Sequence, residues 1–298
     1  MKRIHVRVPA TTANLGPGFD CMGCAFSMYA DFECEMIPEG LEISGCPEKY
    51  QNEDNLFVMA YRRMEEYLGI PKSGLKINIS SKIPICRGLG SSASRLVAGA
   101  YACNAMNGEY LDKKAVLQVC TDIEGHPDNV APCIFGGMIT SLIQDGVPVC
   151  ASVPISGAVG FVAMIPDYEV VTDEARAVLP EMYSRADAIF NISRLGVLIR
   201  AFETGDMHLI GKAMDDRIHQ PYRKPLIHDY NLVESISRAS GAAACCVSGS
   251  GSTCLAVVDV NRSEEVASRI REGLRNSSYN WQVIPMIVDH HGAHIVPW

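Results

Sequence analysis

The run Arg87-Gly88-Leu89-Gly90-Ser91-Ser92-Ala93 follows the alternating segment Leu75-Lys76-Ile77-Asn78-Ile79 and a loop over 80–90, and leads into small residues from about Ser92 to Met106. Alternation reads as a half-buried strand, and the small-residue stretch reads as a helix. Glycine lacks a Cβ, so such a loop bends sharply and lets the backbone approach a ligand closely. Consecutive N–H groups at a helix start suit a phosphate. Ser91 and Ser92 add hydroxyls, and Ser92 reads as a good N-cap. A plain capped turn carries the same pattern. A Walker A loop is excluded because its lysine is missing. A dinucleotide fingerprint needs an acidic residue ending the next strand. Glu109 stands near that distance but follows helix-like sequence and the Asn107-Gly108 turn.

The rest of the 298-residue chain supplies room for one large or two modest domains. A formal charge of −8 argues against a general nucleic-acid binder. No apolar run is long enough for a membrane span, and the first residues lack the pattern of a signal peptide. The expected compartment is the cytoplasm. Twelve cysteines scattered through apolar segments read as small buried hydrophobes. The Cys21-x-x-Cys24 pair has no second pair at metal spacing, and Cys245-Cys246 take the same packing role. Residues 1–9 read as a strand, 53–68 and 113–123 as helices, and 137–143 as a strand. A buried strand over 157–164 suggests a domain change near residue 155, giving 1–155 and 156–298. Helices follow around 187–203 and 229–239. Without regular strand–helix alternation this is an α+β chain rather than a doubly wound one.

Two more segments carry polar chemistry. Val8 to Asp20 is a strand running into a loop of small polar residues, glycine and proline. Asn14 and Asp20 there offer an amide and a carboxylate to an amino- or hydroxyl-bearing ligand, or else form an Asx-rich turn. Ser248-Gly249-Ser250-Gly251-Ser252-Thr253 is a glycine turn entering a strand, a common arrangement by itself.

In this order and at this separation, the three segments resemble the three motifs of the GHMP kinases, the superfamily of galacto-, homoserine, mevalonate and phosphomevalonate kinases. Pro9 through Gly23 resembles the form found in homoserine kinases, as does Glu124-Gly125-His126-Pro127-Asp128-Asn129-Val130-Ala131-Pro132. The resemblance spans nearly the whole chain. It implies an N-terminal domain with a left-handed βαβ unit, a C-terminal ferredoxin-like domain, and ATP between them. It further implies transfer of the ATP γ-phosphate to the hydroxyl of L-homoserine, in threonine biosynthesis. Family members are often homodimers, a point on which the sequence is silent.

The resemblance also assigns residues. ATP is expected on Asn55, Pro84 and Gly88, Leu89, Gly90, Ser91, Ser92 and Ala93. Asn55 reads equally well as a helix cap. The homoserine pocket should draw on Asn14, Asp20, His126, Asn129, Arg176 and Arg223. Asn129, Arg176 and Arg223 carry the catalytic step. A carboxylate suits an arginine fork, and an ammonium suits Asp20. Magnesium is expected on Ser92 and Glu124, with Asp122 as the alternative carboxylate. An amide takes no full proton, so Asn129 orients the substrate hydroxyl, and Asp128 is expected to point elsewhere. The chain departs from the pattern twice. Arg95 stands where the family has a small residue, and an outward orientation is favoured over contact with phosphate. Ser252 replaces a proline, which should loosen its turn. Competing readings are a kinase for another small alcohol, a nucleotide binder without turnover, and a nicotinamide dehydrogenase.

Overall fold

The computed structural model describes residues 2–108 and 112–297, so Glu109 lies outside the described residues. The first strand, β1 (Arg3–Asn14), pairs antiparallel with the long β2 (Gly18–Ile37). The expected loop beyond Pro9 therefore shrinks to the turn between Asn14 and Gly18. Register shifts at Pro9/Ala10 and Ala13/Asn14 let the pairing continue past proline, which donates no ladder hydrogen bond. Then come β3 (Leu41–Ser44), α1 (Leu56–Leu68) and β4 (Gly74–Ser81), with β3 and β4 parallel across the α1 crossover. Next are α2 (Ser91–Asn107), α3 (Lys113–Glu124), α4 (Val130–Phe135), β5 (Met138–Gln144) and β6 (Val147–Val153). With the terminal strand, described last, they form a seven-stranded sheet with helices packed on it.

β7 (Val159–Pro166) opens a second sheet. It is followed by α5 (Thr172–Ala177), α6 (Arg185–Thr204), α7 (Met207–Ala213), α8 (Gln220–Arg223) and α9 (Tyr230–Ala239). β8 (Ala244–Val247), β9 (Cys254–Asp259), α10 (Ser263–Gly273) and β10 (Trp281–Met286) complete it, and β11 (His294–Ile295) returns to pair with β1. The four-stranded sheet runs β10-β7-β9-β8, all antiparallel. In chain order that is fourth, first, third, second, with helices between first and second and between third and fourth: the expected ferredoxin-like arrangement. No helix among the described residues is long and apolar enough to cross a membrane.

Both faces of this second sheet are covered, so β7 reads as a continuous apolar run. Phe161 and Ala163 join the large core shared with the first sheet, whereas Val162 and Met164 join a smaller core under α9 and α10. Adjacent Cys245 and Cys246 divide the same way, since neighbours on a strand face opposite sides. Cys21 and Cys24 lie three apart on β2 and also point to opposite faces, so they do not converge on a metal. Burial pushes the Cys21 thiol up to about 11 and Cys24 higher still.

α2 is buried on nearly every side, against α1, α3, α4 and the sheet, which is why it is rich in alanine, glycine and serine. Gly99 shows the limit: a Cβ there would lie 2.0 Å from the Phe57 carbonyl oxygen of α1. Alanine favours helix over glycine by ~1 kcal/mol, but pushing a helix off a backbone carbonyl costs ~1–3 kcal/mol, so sterics win. Gly99→Ala should therefore lower the urea midpoint of unfolding. An unchanged or raised midpoint would show that α1 and α2 separate freely.

Candidate functional site

A cleft of about 350 Å³ opens between the two sheets. Its walls are the β1–β2 turn, the loop before α2, the end of α3 with residues 125–129, α5, α8 and the turn after β8. Backbone and hydroxyl bonds tie three of these segments together. Asn14 Nδ2 donates to Gly249 C=O at 2.8 Å, Thr12 Oγ1 and Ser248 Oγ share a bond of 2.8 Å, and Ser248 Oγ donates to Gly88 C=O at 2.6 Å. Gly88 has a φ of +70°, and a Cβ there would lie 2.1 Å from the Ser248 carbonyl oxygen. Only glycine accepts both the left-handed backbone and this approach.

The cap of α2 is Gly90 rather than Ser92, and it supplies no side-chain bond. The first helical bond runs from Ser94 N–H to Gly90 C=O at 2.8 Å. The N–H groups of Ser91, Ser92 and Ala93 are thus left without helical acceptors at the positive end of a 17-residue helix. Ser92, one residue into α2, turns its hydroxyl to Glu124 Oε2 at 2.7 Å. Asp122 sits on the other side of α3, exposed, and accepts from Gln118 Nε2 at 2.7 Å. Gly88, Gly90, Ser91 and Ser92 line the cleft, whereas Pro84, Leu89 and Ala93 do not. Leu89 and Ala93 anchor the loop in the core, so any part they take is through backbone N–H alone.

Arg95 corrects the outward expectation. It lines the cleft, and its Nη1 donates to the Ser91 carbonyl at 2.7 Å and to the Ser91 hydroxyl. One turn along a helix puts its stem over Ser91, and Tyr50 and Cys86 line the cleft with it. Asn55 is both cap and cleft residue: Oδ1 accepts from Phe57 N–H at 3.0 Å, and Nδ2 donates to Tyr50 C=O at 2.8 Å. The buried Ser252 hydroxyl donates to Tyr168 C=O at 2.8 Å, a bond that the proline it replaces could not make.

At the other end of the cleft, Asp20 and Arg176 form a two-pronged ion pair, with N–O distances of 3.0 and 3.2 Å. Arg223 is buried, its Nε and Nη1 held by Ala175 C=O at 3.0 Å and Gly249 C=O at 3.1 Å. Its guanidinium carbon lies 5.1 Å from the Phe19 ring centre. Asn14 lines this end, yet Oδ1 accepts from Asp20 N–H at 3.0 Å while Nδ2 holds Gly249, so it is foremost a link between segments. Asp128, expected elsewhere, is buried in the cleft wall and bonded to His126 Nδ1. Burial opposes the charge on His126, but the bond and charge of Asp128 outweigh it and raise its pKa. Asn129 lines the cleft and accepts from Thr11 Oγ1 at 2.8 Å.

Several positioning residues escaped the sequence reading. Asp216 collects the N–H groups of Ile218, His219 and Gln220 and the Asn191 amide, turning the chain into α8 and so aiming Arg223. An acid shortly before a Gln-Pro pair is a helix-start signal that was available. Thr11, Thr12 and Ser248 carried no such signal, since their partners are remote in sequence.

Two family models match the chain, the GHMP kinases N terminal domain over residues 55–137 and the GHMP kinases C terminal over 198–279. A homoserine kinase of Clostridium botulinum is 39% identical over 98% of this chain and 98% of its own length. The crystal structure of homoserine kinase from Cytophaga hutchinsonii superposes with a TM-score of 0.89 at 28% identity, covering 99% of this chain and 98% of that one. Mevalonate kinase of L. major, in complex with R-mevalonate, shares the fold with a TM-score of 0.75 at 16% identity, over 97% of this chain and 96% of its own.

His219 generates a pH prediction. It is fully buried, its Nε2–H donates to Gly16 C=O at 2.9 Å, and its ring stacks on Phe19 at 5.3 Å. Burial holds its pKa down to about 4, against the pull of Asp216 and with help from Arg223. The unfolded chain keeps the ordinary value of about 6.5 and takes up the proton that the folded chain refuses. The contribution is fully present above that value and is lost as pH falls from about 6.5 toward about 4. Denaturant titrations across this window should show His219→Gln losing less stability than the parent. Parallel curves would mean that His219 is not held neutral.

Proposed function

The chain belongs to the homoserine kinases of the GHMP kinase superfamily, and from that premise we propose that its cleft moves the γ-phosphate of ATP onto the side-chain hydroxyl of L-homoserine. The observation that carries this reading is the adjacency of two recognition chemistries. A helix start with three unpaired N–H groups suits a polyphosphate. Beside it, Asp20, Arg176 and Arg223 suit a zwitterion. Before substrate arrives, Asp20 and Arg176 satisfy each other. An amino acid exchanges that pair for two of its own, its ammonium going to Asp20 and its carboxylate to Arg176 and the remaining Nη2 of Arg223. Mevalonate, without an ammonium, would leave Asp20 uncompensated.

On this reading ATP phosphates rest on the N–H groups of Ser91, Ser92 and Ala93, with the Arg95 charge close by. The base lies toward Asn55. Ser92 and Glu124 fit magnesium, because a hydroxyl and a carboxylate already in contact are the hard oxygen donors that ion takes. Bound there, the ion would neutralise charge developing on the transferred group. The chain's own contribution is positioning and charge compensation, which is most of what phosphoryl transfer asks of a protein. His126, steadied by Asp128, lines the amino-acid end. Asn129 orients the hydroxyl, whose proton passes to the γ-phosphate or to water. The change of sheet between β6, ending at Val153, and β7, beginning at Val159, supports dividing the chain into 1–155 and 156–298, with β11 of the second part returning to the first sheet.

A coupled ADP-release assay with MgATP tests the reaction, comparing L-homoserine, L-threonine, L-serine and mevalonate. Turnover with homoserine should stand well above the other three. Nucleotide binding without ADP release on any acceptor would discard the kinase reading.

The metal assignment is tested by the same assay across a magnesium titration. Glu124→Gln should lose at least about tenfold in turnover at low magnesium and recover partly at high magnesium. Asp122→Asn should match the parent; the opposite ranking would move the carboxylate ligand to Asp122.

A further inference from the structure

Thr11 sits where β1, the loop before α2 and the start of α4 meet. Its hydroxyl donates to Asn129 Oδ1 at 2.8 Å, and its backbone N–H donates to Leu89 C=O at 3.2 Å. A Cβ on Gly90 would lie 1.9 Å from Thr11 Oγ1, so the hydroxyl occupies the space that the loop glycine leaves open. Thr11 is fully buried, and Asn129 is the acceptor that the described residues offer its proton.

This contact decides which end of the Asn129 amide faces the cleft. Asn129 precedes α4 and makes no side-chain cap bond, so no other hydrogen bond among the described residues orients its amide. Turning the amide over would put its NH2 against Thr11 and strand a buried hydroxyl proton without an acceptor, which native structures rarely tolerate. With the oxygen engaged by Thr11, the two Nδ2 donors turn to the cleft.

We propose that Thr11 is a positioning residue for phosphoryl transfer, its hydroxyl locking the Asn129 amide so that Nδ2, not Oδ1, meets the substrate hydroxyl. The inference rests on the role given to Asn129 above. A donor at that point holds the hydroxyl oxygen with its proton turned away, toward the phosphate or water that receives it. An amide free to turn would spend part of its time offering oxygen, hold the hydroxyl by its proton, and misdirect the attacking lone pair.

The test is a cycle of Thr11→Val, Asn129→Ala and the double variant, with Thr11→Ser as the conservative control. Valine keeps the branched shape of threonine and puts a methyl group where the hydroxyl stood. Thr11→Val should lower kcat at least about tenfold, with KM for ATP and for homoserine within about twofold and Tm nearly unchanged. Thr11→Ser should keep kcat within about threefold, and adding Thr11→Val to Asn129→Ala should change kcat by less than about twofold. Should the valine variant not fold, Thr11→Cys takes its place, with a weak thiol donor and an intermediate kcat. Parental kcat for Thr11→Val while Asn129→Ala is slow, or full additivity of the two, overturns the lock alone. Parental kcat for Asn129→Ala overturns the role of Asn129 and the lock with it.

Discussion

Hydrogen bonds among three glycine-bearing segments hold the two walls of the cleft in register. Gly249 C=O receives both Asn14 Nδ2 and Arg223 Nη1, and Ser248 bridges Thr12 to Gly88. Thr253 N–H adds a bond to Arg87 C=O, and Gly249 N–H adds one to Ala13 C=O. A single buried bond of this kind contributes ~1 kcal/mol net, but breaking one side strands a buried partner at greater cost. The network therefore acts as a unit. It sets the distance between the helix start that suits phosphate and the charges that suit an amino acid.

Those charges fall into two kinds. Asp20 and Arg176 are 35% and 38% exposed along their side chains, and a pair so exposed contributes little to stability. Arg223 is the opposite case, a buried cation fixed by two carbonyls and the face of Phe19. Burial works against its charge, and Asp20 and Asp128 nearby support it. One arginine sits in a half-exposed ion pair, and the other is fixed by carbonyls and a ring face.

The long elements were legible because each had a local signature. The 3.6-residue pattern from Leu56 to Met64 and the alternation from Leu75 to Ile79 fall inside the elements observed, and the strand expected over 157–164 begins two residues later, at Val159. The second half of the first motif was misread as loop. Its residues are poor strand formers, and only the pairing of Ala13 with Gly23 and of Asn14 with Gly18 makes them strand. Arg95 was misjudged for a related reason. A helix position gives the direction of a side chain only once the neighbours of that helix are known.

The sequence by itself determined the chemical inventory: a loop that bends at Gly88 and Gly90, a helix of small residues behind it, and acids and arginines whose roles the resemblance to the GHMP kinases implied. Local conformation follows from local residues, so these parts could be read in isolation. Tertiary structure decided which groups meet. It put Ser92 on Glu124 and left Asp122 facing out, engaged both ends of the Asn14 amide with Asp20 and Gly249, and brought Thr11 to Asn129. Contacts between residues remote in the chain depend on packing summed over the whole core, and no local pattern records that sum.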